Sequence, residues 1–299
     1  MTEENQPAGL HFTITHLYAL GARLEDEGQY NLAKLVRAAA VSLTRQSAYQ
    51  ISLPTDKDGL MRELKRAIHR LSGYGMETEL LNALDRGMEA FAAGRLPLIH
   101  ETPHPYVCRT CGYLRVGESE EKCPTCGAWS STFLCFLPIY WLDALEPFPA
   151  LERLRQNPVE VKRLLQGVTE ENLDKIPEEG GWAIRNVVSH MRDAEGLLSI
   201  RLELMLEQDN PRLEPKAIFE WATQEAERPS STMEIFDSYC ASRQATIARL
   251  ESISLADWWR TGQHEEFGPL TIRQQVSYFA SHELIHLPQI EALKKELNI

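Results

Sequence analysis

The 299-residue chain has no surplus of positive charge: 31 lysines and arginines stand against 43 aspartates and glutamates, a formal charge of −12. No basic stripe runs along any predicted helix, so a phosphate backbone finds no electrostatic footprint, and nucleic acid is not an expected partner. Long hydrophobic runs are missing too. The most apolar stretch, Phe133 to Leu142, contains Pro138 and falls short of the roughly 20 residues a helix needs to cross a bilayer, so no membrane partner is expected. The first residues, Met1 to Leu10, are acidic and polar, unlike a signal or transit peptide, and a cytoplasmic location is expected. Cysteine is scarce outside one short segment. Only Cys135 and Cys240 lie beyond it, in apolar surroundings where a thiol behaves as a small hydrophobe, and lone thiols fit a reducing compartment.

Hydrophobic residues make up 43% of the chain, enough for packed cores, and their spacing divides it into three parts: 1–98, 99–140 and 141–299. In the first, Leu10, Ile14, Leu17 and Leu24 share a helical face that ends at Gly28, and Leu32, Leu35, Val36, Ala39 and Leu43 repeat the period. Asp58 is the expected cap of a third helix carrying Leu60, Leu64, Ile68 and Leu71. A fourth carries Leu80, Leu81, Leu84, Met88 and Phe91, with Gly94 just beyond it. Four short helices predict a small antiparallel bundle. Pro97, Pro103 and Pro105 then mark a linker. From Ala150 the helical period returns: 150–167 interrupted by Asn157-Pro158, 183–206, 233–251 with Ser230, Ser231 and Thr232 as candidate caps, and a last helix from about Leu270. This predicts a second four-helix bundle without strands, and a mainly α protein overall.

Between the bundles lie Cys108-x2-Cys111 and Cys123-x2-Cys126. Each pair presents two thiolates from a tight turn, with Gly112 and Gly127 following, and two such knuckles make a tetrahedral thiolate site for zinc or iron. The sequence Tyr106-Val-Cys-Arg-Thr-Cys-Gly-Tyr113 followed by Lys122-Cys-Pro-Thr-Cys-Gly-Ala128 resembles rubredoxin, and more closely the short rubredoxin-like module of rubrerythrins. That resemblance implies a single redox-active iron and a redox partner; a structural zinc ribbon is the alternative. Rubrerythrins also carry a di-iron helical bundle ahead of this module, but the only Glu-x-x-His ahead of the cysteines, Glu101 to His104, sits in the proline linker, and no di-iron centre is predicted.

His282-Glu283-Leu284-Ile285-His286 reads H-E-x-x-H. On a helix the two histidines, four residues apart, lie on one face and can grip one ion. In a zinc peptidase Glu283 would be the catalytic base and a third ligand would come from downstream. Downstream carboxylates Glu291 and Glu296 share the same helix, so the third ligand is expected upstream, from His190. Val187, His190, Ala194 and Leu197 share one helical face, as do Ile272, Gln275, Phe279, His282 and His286. Glu283 is a weak candidate base, with Asp193 and Glu195 beside it, and all three are read first as surface or packing-edge carboxylates; Arg192 and Arg273 are candidates to hold a substrate carboxylate but are read first as surface ion-pairing residues.

With Trp182 before one helix and Phe267-Gly-Pro-Leu-Thr-Ile-Arg-Gln before the last, this half is similar to the DinB-like metal-binding family. The resemblance implies a four-helix bundle in which His190, His282 and His286 hold one divalent ion (zinc, nickel or iron). It also implies, for several members, a thiol S-transferase acting on a small molecule through a low-molecular-weight thiol. An electron-transfer module using the cysteine iron is the alternative, and a zinc metallopeptidase ranks last. A homodimer is expected. Pro288 is expected to kink or end the last helix.

Overall fold

The structure, a computed structural model, describes residues 9–118, 120–138, 144–178, 180–213 and 230–298. The tail of the Phe133–Leu142 run and the first eight residues lie outside them. The described chain is mainly α, as the periodicity predicts, and divides into two compact units. One comprises Met1–Arg95 and Pro103–Cys135; the other comprises Leu96–Thr102 and Phe136–Ile299.

In the first unit α1 (Leu10–Asp26) packs on α2 (Tyr30–Tyr49), and α3 (Lys57–Gly73) on α4 (Thr78–Ala92). At the α1–α2 contact Gly21 lies against Ala33 and Arg37, and a fork between Arg37 and Glu25 at 2.8 and 2.7 Å clamps the pair. The cap of α3 is Asp56, not Asp58: its carboxylate accepts from Gly59 N at 2.7 Å, and Asp58 lies in the first turn. Asp56 owns the cap because Pro54 lies against Gly59, where an added Cβ would meet the proline at 2.3 Å. That contact fixes the entry two residues earlier than the sequence suggests. A three-stranded antiparallel sheet follows, ordered β2-β1-β3, from β1 (Pro105–Cys108), β2 (Leu114–Val116) and β3 (Phe133–Cys135).

In the second unit, α5 (Pro147–Leu165), α7 (Ile184–Glu207), α8 (Thr232–Ser252) and α9 (Ile272–Glu296) pack as a four-helix bundle, with the short α6 (Glu170–Leu173) after α5. Each helix of the bundle touches two others: α7 touches α8 and α9, and α5 touches α8 and α9. Ser231 and Thr271 cap α8 and α9 in capping boxes closed by Glu234 and Gln274.

Three expectations change here. The helix over Asn157-Pro158 is not interrupted, because α5 runs through Pro158. Nor does Pro288 end α9. Each proline removes one backbone donor, but the packing on both sides holds the helix on its path. The second unit also contains strands: β4 (Arg212–Leu213), β5 (Thr261–His264) and β6 (Gly268–Thr271), ordered β4-β5-β6. Glycine and proline hide them in the sequence. Pro269 is tolerated because β6 is an edge strand.

The bundle interior is layered. One apolar cluster contains Leu154, Leu197, Leu198, Leu250, Val276 and Phe279; the other contains Val161, Val187, Met191, Ile235, Tyr239 and Ile290. Buried polar residues interrupt the apolar stripe of every helix between them: Asn157 on α5, His190 and Glu195 on α7, Arg243 on α8, Glu283 and His286 on α9. Polar side chains are not buried together unless they satisfy one another or a ligand, so this layer is where function is to be sought.

Candidate metal centres

The bundle brings His190, His282 and His286 together, with one ring nitrogen of each within 4.8 Å of the others. His282 and His286 are one turn apart on α9, and their Nε2 atoms are 3.4 Å apart. Two imidazole nitrogens bound to one ion at 2.0–2.1 Å with tetrahedral angles are about 3.4 Å apart. The ring centroids of His190 lie 5.2 and 4.9 Å from those of His282 and His286.

Electrostatics favours the neutral, ligating form of all three. Burial pushes the His190 imidazolium down to about 4, with the neighbouring His286 adding to it. Burial, with His286 and His190 beside it, takes His282 to about 3. Burial also lowers His286, against opposing effects of Gln289 and Glu283. The His286 Nδ1–H donates to Gln289 Oε1 at 2.8 Å, which leaves the Nε2 lone pair facing the other two rings. Such a partner on the far nitrogen is the usual support of a metal-bound histidine. Sequence reading missed Gln289, although its place three residues after His286 on one helix was the available signal. Trp182 and Tyr278 flank the cluster: the Trp182 ring lies 5.2 Å from His190, and Tyr278 stacks on His282 at 5.5 Å. The donor set thus fits one divalent ion.

Glu283 has a different place from the one a peptidase requires. It is 1% exposed, and both carboxylate oxygens are committed. Oε1 accepts from Arg243 Nη2 at 2.6 Å, and Oε2 accepts from Arg243 Nη1 at 3.0 Å and Asn157 Nδ2 at 2.6 Å. A carboxylate so engaged has lost the freedom to act as a general base, which removes the physical basis of the metallopeptidase reading. Glu195, read as a packing-edge residue, is fully buried against the same Arg243. Asp193 pairs with Arg192 at 2.7 Å. Arg273 donates to the Leu145 and Ala144 carbonyls, which ties it to the segment entering α5.

In the first unit the four cysteines converge: Sγ of Cys108 is 3.7 Å from Cys126, and Sγ of Cys111 is 3.6 Å from Cys123. Thiolates bound to one ion at about 2.3 Å with tetrahedral angles are about 3.8 Å apart. The two knuckles repeat one backbone pattern. Cys108 N donates to Tyr113 O at 2.8 Å and Gly112 N to Cys108 O at 2.9 Å; Cys123 N donates to Ala128 O at 2.7 Å and Gly127 N to Cys123 O at 2.8 Å. Gly112 and Gly127 have φ of +79° and +74°, where a side chain would be strained. Burial raises the Cys108 thiol, but the amides of Cys111 and Thr110 outweigh it and bring it down to about 6. Cys111 receives help from the Tyr113 amide, yet burial and the sulfurs of Cys123, Cys126 and Cys108 drive it up to about 12. The Cys108 and Cys111 thiols are thus pushed in opposite directions by the same small cluster. Cys135 and Cys240 stay outside both sites.

A family model described as the DinB superfamily matches residues 153–290. A protein of Oceanobacillus iheyensis named "Putative metal-dependent hydrolase" is 30% identical over 156 residues, which is 52% of this chain and 84% of that protein. A protein of Bacillus cereus with the same name is 27% identical over 151 residues, 50% of this chain and 85% of the relative. Among solved structures, YfiT from Bacillus subtilis, described as having an unusual four-helix bundle topology, aligns with a TM-score of 0.47 at 19% identity, covering 55% of this chain and 94% of YfiT.

Proposed function

Because the chain belongs to the DinB superfamily through its second helical bundle, we propose that it is a metal-dependent enzyme acting on a small molecule, with His190, His282 and His286 as the ligands of one divalent ion. The observation that carries this reading is the 3.4 Å separation of two neutral imidazole nitrogens with the third ring beside them. Zinc, nickel and iron all suit such a nitrogen set. Held by His190, His282 and His286, such an ion would supply Lewis acidity that brings the ionisation of a water or thiol towards neutral pH. The protein's own residues prepare the site: burial keeps the imidazoles neutral, Gln289 holds the proton on His286 Nδ1, and Trp182 and Tyr278 screen the rings. The relatives' names point to water as the nucleophile. The finer reading is thiol S-transfer, in which a low-molecular-weight thiol gives up its proton and its sulfur displaces a leaving group from a small electrophile.

The test is metal content and turnover together. Wild-type protein should hold one metal equivalent that His286→Ala loses, and chelation should abolish turnover of a thiol-plus-alkyl-halide or an ester substrate. Unchanged stoichiometry in His286→Ala overturns the assignment.

The cysteine cluster supports a second reading, electron transfer through a rubredoxin-type iron to a redox partner, carried by the sulfur spacing and the paired knuckles. A red chromophore bleached by reductant supports it. One tightly held zinc per four cysteines makes the module structural instead.

A further inference from the structure

The Arg243 guanidinium makes five polar contacts, all with residues of the other three helices of the bundle. Its Nε donates to Glu195 Oε2 on α7 at 2.7 Å, and Nη2 lies 2.6 Å from that same oxygen. Nη2 and Nη1 grip Glu283 on α9 in a bidentate fork at 2.6 and 3.0 Å. Nη1 also donates to the Leu154 carbonyl on α5 at 3.2 Å. That carbonyl is the one Pro158, four residues later and lacking an N–H, leaves without its helical donor. Arg243 is 1% exposed, and Glu195 and Glu283 are 0% and 1%.

The placement relative to the histidines is specific. His190 precedes Glu195 by five residues on α7, and His282 and His286 flank Glu283 on α9. The hydrophobic effect that holds the apolar layers on either side together is non-directional and does not by itself select one register of α7 against α9. A guanidinium fork is directional and fixes both distance and plane. Metal–nitrogen bonds tolerate only about ±0.2 Å, so a slide of α7 against α9 on the order of 1 Å would pull His190 away from the α9 pair.

We propose that Arg243 is a positioning residue of the three-histidine site: by tying Glu195 to Glu283 it sets the register between the helix carrying His190 and the helix carrying His282 and His286. This rests on the metal reading above. Two variants test it, with zinc affinity at the histidine site measured by chelator competition on the full-length protein. Arg243→Lys keeps a charge but loses the fork. The triple variant Arg243→Met, Glu195→Leu, Glu283→Leu replaces the whole ion cluster by apolar side chains, a change that often preserves or raises stability. In both, zinc affinity should fall at least tenfold while the thermal midpoint of the triple variant stays at or above that of wild type and the cysteine cluster keeps its metal. Affinity within twofold of wild type in either folded variant overturns the proposal. So does loss of zinc that appears only together with loss of fold. If instead His286→Ala binds as much metal as wild type, the metal assignment fails, whatever Arg243 does.

Discussion

Arg243 on α8 and Glu283 on α9 face each other across the bundle interior in a two-point ion pair, 2.6 Å at one oxygen and 3.0 Å at the other. Burial alone would lower the arginine's affinity for its proton; Glu283 and Glu195 outweigh it and raise it. Burial raises the Glu195 carboxyl even with Arg243 beside it. The cluster therefore holds together only as a set. Arg243→Met alone strands two buried carboxylates, and such a break costs about 3–5 kcal/mol. Urea unfolding should show a loss of that size. A loss under about 1 kcal/mol would mean that water reaches the cluster.

The second prediction concerns acid. The histidines of the metal-free protein have folded values depressed below the ordinary value of 6.5, to about 4 for His190 and about 3 for His282. Between those values and 6.5 the unfolded chain binds more protons than the folded one, so stability of the metal-free protein rises with pH through this window and is lost as pH falls through it. Zinc affinity falls over the same range because protons compete for the ligand nitrogens. Chemical unfolding at pH 4 to 7 checks the sign. Replacing His190 and His282 by Leu should flatten the slope; an unaltered slope would assign it to other groups.

Gln289 gives a third. Its carbonyl oxygen receives the Nδ1 proton of His286 at 2.8 Å, and loss of such a supporting bond typically weakens metal binding 10- to 100-fold. Gln289→Leu should show a weakening of that order without unfolding, since the position is partly exposed. Gln289→Glu, which keeps an acceptor, should retain the affinity. Equal weakening in both variants would assign the effect to packing.

The two clusters of candidate ligands were legible in the sequence because their spacing is local. Two Cys-x2-Cys knuckles and a His-x3-His pair announce themselves by spacing, and His190 stands on an inward stripe. The ion cluster was not legible, because its members are joined only by the fold: Arg243 is 40 residues from Glu283, 48 from Glu195 and 89 from Leu154. A faint signal existed. Phe236, Tyr239, Arg243, Thr246 and Leu250 follow one 3–4–3–4 stripe, all buried, so Arg243 occupies a core position of its helix. The capping of α3 by Asp56 and the β5–β6 hairpin depended on a proline contact and an edge position, neither of which has a periodic signature.

Pro158 supplies the last prediction. A proline inside a helix normally costs about 3 kcal/mol, and replacing one by alanine normally recovers much of that. Here the carbonyl it leaves without a helical donor, Leu154 O, is already taken by Arg243 Nη1 at 3.2 Å. In Pro158→Ala the new backbone N–H competes for the same oxygen. A charged buried donor that loses its acceptor costs on the order of 1–3 kcal/mol, which offsets the gain. Pro158→Ala should therefore change stability by no more than about 1 kcal/mol in urea unfolding and should weaken zinc binding at the histidine site. A gain near 3 kcal/mol with unchanged zinc affinity would show that the arginine does not depend on the carbonyl the proline exposes.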